Sequence, residues 1–154
     1  SGCGFSPLYG PHGSDQPTAN IKVERIPDRE GQMLRNYLLD MLNPYGSPTF
    51  AEYRLKALPQ LKKEEFGFRR DATSKRTRIH LTVDFELIDT TNEKAVYQDK
   101  VTVTAGFSVG SKAETASLPQ VVSEEDARKR ALEQAAREIK LLVASFLRTH
   151  SKSD

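Results

Sequence analysis

Three groups of residues in this chain have types and spacings that could do chemistry. The first is Ser1-Gly2-Cys3, which matches the last three positions of a bacterial lipobox, where small residues precede an acceptor cysteine. In that chemistry the Cys3 thiol becomes a thioether to diacylglycerol and cleavage leaves Cys3 as the new N-terminus. The apolar stretch of a precursor would lie upstream of Ser1. Cys3 is the one cysteine in 154 residues, so it cannot staple the fold. The bland alternative is a free thiol near the N-terminus. The second group is Gly106-Phe107-Ser108-Val109-Gly110, which has the G-x-S-x-G spacing of a nucleophile elbow. An elbow needs a strand, a sharp turn and an immediately following helix, with Asp and His later. Here the run lies within alternating residues, and the one later histidine, His150, lies in a polar tail. A hydrolase is therefore not expected.

The third group is cationic. Lys62, Lys63, Arg69, Arg70, Lys75, Arg76 and Arg78 fall within 17 residues against Glu64, Glu65 and Asp71. That segment carries a net charge of +4, more than the +2 of the whole chain. Arg offers bidentate contacts to phosphate and Lys a point charge, so the cluster suits an anionic, phosphate-rich ligand. Its structural alternative is a solvated loop with exposed strand ends. His12 and His80 do not pair with other ligands at metal spacing, and there is no CxxC pair, so neither a metal nor a cofactor is expected.

These groups must be positioned by a chain of one domain's length, large enough to bury a core. A hydrophobic content of 37% with 29% charged residues fits a globular body. No run approaches the roughly 20 apolar residues of a spanning helix, so membrane attachment would come from a lipid or a partner. Residues 1–19 read as a flexible tether, with Pro7, Pro11 and Pro17 among Gly4, Gly10 and Gly13. Residues 20–150 read as a single folded domain, and 151–154 as a disordered tail.

Within the body, Ile21, Val23 and Ile26 fit a short strand, and Asp28 could cap the helix after Pro27. Met33, Leu34, Tyr37, Leu38, Met41 and Leu42 share one helical face, which Asn43-Pro44-Tyr45-Gly46 ends. Tyr53, Leu55 and Ala57 begin a second strand that Pro59 interrupts, at an edge or a bulge. Ile79, Leu81, Val83, Phe85 and Leu87 alternate with polar residues, then Asp89 to Lys94 turn the chain. Val101, Val103, Ala105, Phe107 and Val109 alternate on the return, giving an antiparallel hairpin with one wet face. A loop from Gly110 to Val122 leads to a final helix, with Ser123 and Asp126 resembling a capping box. Four (i, i+4) acid–base pairs, Glu124–Arg128, Glu125–Lys129, Asp126–Arg130 and Glu133–Arg137, support that helix. Ala127, Ala131, Ala135, Ile139, Leu142 and Phe146 form its buried stripe. The fold class is α+β: two helices packed on one face of a four-stranded, largely antiparallel sheet in the order β-α-β-β-β-α.

The helix–three strands–helix portion also has the order of a double-stranded-RNA-binding domain. Such domains place basic residues at the start of the last helix, whereas Glu124-Glu125-Asp126 would repel phosphate there. With a net charge of only +2, no nucleic-acid partner is expected.

Two strings carry a resemblance across nearly the whole chain: Cys3-Gly4-Phe5-Ser6-Pro7-Leu8-Tyr9-Gly10, and Asp28-Arg29-Glu30-Gly31-Gln32-Met33-Leu34-Arg35-Asn36 following Ile26-Pro27. Tyr53-Arg54-Leu55, the alternating hairpin and Glu125-Asp126-Ala127 extend it. The chain resembles the lipopolysaccharide-assembly lipoprotein family LptE, in the form found in alphaproteobacteria and their relatives. The resemblance implies a non-enzymatic outer-membrane lipoprotein facing the periplasm, anchored through acylated Cys3. It also implies a partner, the LptD β-barrel, inside which the lipoprotein sits as a plug while lipopolysaccharide passes to the cell surface. Lipopolysaccharide contact through basic residues is a further implication, and charge density points to Arg69, Arg70, Lys75, Arg76 and Arg78. A lipid-anchored accessory subunit of another, ABC-type transport complex would share the anchor and the mixed body.

Overall fold

The computed structural model describes Thr18 and residues 20–66, 74–110 and 117–150, with the backbone alone at 66, 74–75, 108–110 and 117–123. Cys3, the rest of the tether apart from Thr18, Arg69, Arg70 and the tail at 151–154 lie outside the described residues. The elements are β1 (Ile21–Val23), α1 (Asp28–Leu42), β2 (Tyr53–Phe66), β3 (Ser74–Asp89), β4 (Lys94–Gly110) and α2 (Ser117–His150). They realise the expected β-α-β-β-β-α order in one sheet of spatial order β1-β2-β3-β4.

The β1–α1–β2 crossover makes β1 parallel to β2, while β2–β3 and β3–β4 are antiparallel, so the sheet is mixed. The alternation of β3 works as read: Ile79, Leu81, Val83, Phe85 and Leu87 are all buried. Val101 and Val103 of β4 meet the main core, while Phe107 packs with Ile79 and Ala127 in a smaller cluster. Both helices cover that face. From α1 come Leu34, Leu38 and Leu42, and from α2 come Ala131, Leu132, Ala135, Ala136, Ile139 and Val143. The small residues of α2 let a long helix lie close over the strands. At 1.5 Å per residue its 34 residues span about 51 Å. All four expected (i, i+4) pairs form, with separations of 2.8 to 3.8 Å.

Four sequence-based expectations require correction. Strand β2 runs through Pro59 to Phe66 rather than stopping there. The ladder with β1 ends at Leu55, so Pro59 falls on an edge, where its missing N–H is tolerated. Helix α2 starts at Ser117, six residues before the expected cap, so Ser123 lies inside the helix and Glu124 to Asp126 are not its first turn. His150 closes α2 rather than lying in a tail, and its ring stacks on Phe146 at 4.3 Å. Asp28 is the first residue of α1 and Pro27 the flanking one, with no side-chain cap bond from Pro27. Asp28 has φ 66°, a left-handed conformation that Asp adopts more readily than most residues.

The strand directions give the domain two distinct ends. Tyr53 of β2, Asp89 of β3 and Lys94 of β4 lie at one end, together with the start of β1. The Phe66–Arg76 pair and Gly110 lie at the other. Fourteen residues of β2 separate these ends by about 45 Å.

Candidate functional site

Among the described residues, neither helix covers the opposite face of the sheet, and the sequence accounts for its polarity. Residues two apart in a strand share a face, so the partners of the buried β3 residues form an outward set: Arg78, His80, Thr82, Asp84 and Glu86. The register sets Lys62 and Thr104 beside His80, Gln60 and Thr102 beside Thr82, and Leu58 and Lys100 beside Asp84. Charges alternate across these rows and pair. Lys100 lies 3.3 Å from Asp84, Lys56 lies 3.8 Å from Glu86, and Gln98 donates to Glu86 at 3.0 Å. Each exposed pair contributes little to stability. Together they make a hydrogen-bonding surface.

Three members of the cationic cluster, Lys62, Arg76 and Arg78, occupy one end of this face. Arg76 and Arg78 are exposed, two residues apart on β3, and therefore project on the same side. Lys62 on β2 is exposed on that side, next to His80. Lys63 is not with them: alternation turns it to the helical face, where its ammonium lies 3.4 Å from Glu124 of α2. The cluster is thus divided between the two sides of the sheet. Lys75 is placed by its backbone alone, opposite Val109. The basic residues at 62, 63, 75, 76 and 78 lie on the ends of β2 and β3, as the strand-end part of the structural alternative has it.

Within the cluster, sequence reasoning missed a polar row. His80 Nε2 lies 2.9 Å from Glu64, and the Thr104 hydroxyl lies 3.3 Å from His80 Nδ1. A hydroxyl–imidazole–carboxylate row resembles a catalytic arrangement in its residue types. Its surroundings do not: it lies across the ladder of a sheet, where backbone N–H groups are directed to neighbouring strands rather than converging on a developing oxyanion. The row links side chains of three strands that the backbone ladders already pair. Register pairs that could have revealed it are not visible in any single strand's sequence.

The Gly106–Gly110 run lies inside β4, paired residue by residue with Arg78 to Ser74. There is no strand–turn–helix at Ser108, so the elbow reading fails on geometry. Among the described residues, no group of His, Cys, Asp and Glu is arranged to hold a metal ion. No helix among them is long and apolar enough to cross a membrane.

The opposite end of the domain is held by a different set of contacts. Arg54 bridges Glu24, just past β1, and Glu93 of the β3–β4 turn. The Asn43 side chain donates to the Ile21 carbonyl at 3.1 Å, joining the end of α1 to β1. The Thr90 hydroxyl donates to the Ala51 carbonyl at 2.7 Å. A shallow cleft of about 490 Å³ lies between Glu24, Arg25, Lys56, Leu58, Asp84 and Gln98.

Comparison with known proteins gives this architecture its relatives. A putative lipoprotein from Caulobacter crescentus CB15 is 25% identical, covering 90% of this chain and 96% of that one, with a TM-score of 0.66. The rare lipoprotein B from Shewanella oneidensis, at 14% identity, covers 86% of this chain and 98% of its own, with a TM-score of 0.58. The latter likeness is one of fold. No curated protein matches the sequence significantly. The family described as LptE, Lipopolysaccharide-assembly, matches residues 18–141, which span β1 through most of α2. This chain belongs to the LptE family of lipopolysaccharide-assembly lipoproteins.

Proposed function

We propose that the protein is an outer-membrane lipoprotein, anchored through acylated Cys3, that plugs and helps assemble an LptD-type β-barrel as lipopolysaccharide passes to the cell surface. Family membership supports the lipopolysaccharide-assembly part of this reading. The observation that carries the plug is the sheet face that neither helix covers. Its Thr82, Thr102, Thr104, Gln60 and paired charges suit the polar lumen of a large barrel. An apolar face would suit a helix or lipid instead.

The proposed lipopolysaccharide contact is through Arg69, Arg70, Lys75, Arg76 and Arg78, of which Arg76 and Arg78 lie at the basic end of that face. The phosphates of such a ligand are acceptors for guanidinium forks. One acyl chain binds a bilayer marginally, whereas several chains plus a barrel contact hold firmly.

The deciding experiment is an affinity pull-down of the tagged precursor from detergent-solubilised outer membranes, read by mass spectrometry. Stoichiometric recovery of an LptD-type barrel is expected. Recovery of inner-membrane transporter subunits in its place would replace this reading with an accessory role in another transport complex.

A further inference from the structure

Tyr45 and Phe50 are 97% and 86% exposed, the two most exposed large apolar side chains among the described residues. Single apolar residues on a surface need no explanation. These two share one connection, between α1 and β2, whose residues 44–51 carry no charge before Glu52 closes it. Residues 44–51 read Pro-Tyr-Gly-Ser-Pro-Thr-Phe-Ala in a chain that is 29% charged.

The connection is fixed at both ends rather than trailing. Asn43 is tied to Ile21 through its side chain, and Gly46, at φ 106°, donates its N–H to the Asn43 carbonyl at 3.0 Å. At the far end, Thr90 holds Ala51, and the Glu52 N–H donates to the Asn20 carbonyl at 2.9 Å. Both anchors converge on Asn20 and Ile21. That is where the segment bearing Cys3 joins the body.

An uncharged loop presenting Tyr and Phe can enter the headgroup region of a bilayer without stripping water from an ion, and aromatic rings favour that depth. A lipid anchor gains firm hold from a second, independent contact. We propose that the Tyr45–Phe50 loop inserts into the headgroup–acyl boundary of the membrane that holds Cys3, and so fixes which end of the domain faces the bilayer. The proposal rests on the lipid-anchor reading for its biological setting, but the contact itself needs no acyl chain.

The test therefore uses the full-length chain with Cys3→Ala, which removes acylation from the outcome. The chain has no Trp, so Phe50→Trp or Tyr45→Trp creates a single fluorescent reporter. With vesicles of phosphatidylethanolamine and phosphatidylglycerol, emission should shift to the blue and be quenched by lipids brominated near the headgroup. Replacing both Tyr45 and Phe50 with Ser should lower vesicle co-sedimentation by roughly tenfold or more, as burial of one such ring implies. Its far-UV spectrum and melting should stay unchanged. Reporter emission indifferent to vesicles would overturn the proposal. Shielding of the reporter by an LptD-type barrel, but not by lipid, would make the loop a protein-docking surface and overturn it equally.

Discussion

The side-chain amide of Asn43 donates to the main-chain carbonyl of Ile21 at 3.1 Å in a buried position, so the residue that ends the first helix also secures the first strand. Three-residue β1 has few ladder bonds of its own. Losing this donor leaves a buried carbonyl without its partner, at a cost of about 1–3 kcal/mol. Asn43→Ala should therefore lower the urea midpoint with little change in the slope of the transition. An unchanged midpoint would show that β1 is secured by packing alone.

Gly31 makes a prediction opposite in sign to helix propensity. An exposed Gly→Ala within a helix stabilises by up to about 1 kcal/mol. Here an added Cβ would lie 2.6 Å from Ile26 Cγ2 and 3.0 Å from the Ile26 carbonyl atoms. Backbone and a branched side chain cannot both withdraw, and overpacking costs roughly 1–3 kcal/mol. Gly31→Ala should be net destabilising in a thermal melt.

Tyr97 and Asp99 give the fold a defined pH response. The Tyr97 hydroxyl donates to Asp99 at 2.7 Å, and burial first, then that bond and the carboxylate charge, push its pKa up to about 12 from 10.0. The fold favours the neutral phenol, so its contribution is complete below pH 10 and is lost as the pH rises through about 12. Asp99 is held below the ordinary carboxylate value, chiefly by the Lys100 N–H and then by Tyr97. Its contribution is present above the ordinary value and fades as the pH falls through the lowered one. Tyr97→Phe should flatten the alkaline limb of a stability–pH curve between pH 10 and 12. A limb unchanged by the substitution would assign it to other tyrosines.

Replacing Arg69, Arg70, Lys75, Arg76 and Arg78 together with Ser should weaken binding of purified protein to lipopolysaccharide. Arg76 and Arg78 project from a strand away from the core, where such substitutions usually stay within about 0.5 kcal/mol. Circular dichroism should thus report an intact fold. Unchanged binding would remove the cluster from the mechanism.

Cys3→Ala should shift the protein from the outer-membrane fraction to the soluble periplasm. Retention in the membrane would show that contact with the barrel suffices.

The parts of the fold legible in sequence are those where one face is dry. The strict alternation of Ile79 to Leu87, and the spacing of Leu34, Leu38 and Leu42, are direct imprints of burial. The extension of β2 was illegible because Lys62-Lys63-Glu64-Glu65 has no apolar side, so period-two patterning vanishes where the strand outruns the core. The start of α2 fell within the stretch read as a loop, Gly110 to Val122, which contains Pro119. In the first turn of a helix, however, a missing N–H costs nothing, because that N–H has no intrahelical acceptor. The candidate site was half legible. Charge density located the cluster, but its division between the two sides of the sheet depends on register, as does the Glu64–His80–Thr104 row.

The continuous β2–β3 pairing, from Tyr53–Asp89 to Phe66–Arg76, couples length to parity. Adding two residues to each strand beyond the core would carry Arg76 and Arg78 about 7 Å farther from the Asn20 end while keeping them on the same side. Adding one to each would turn both guanidinium groups to the opposite side. The arm thus acts as a spacer whose permissible increments come in pairs, so its reach can be retuned in steps of two residues without rebuilding the domain that carries it.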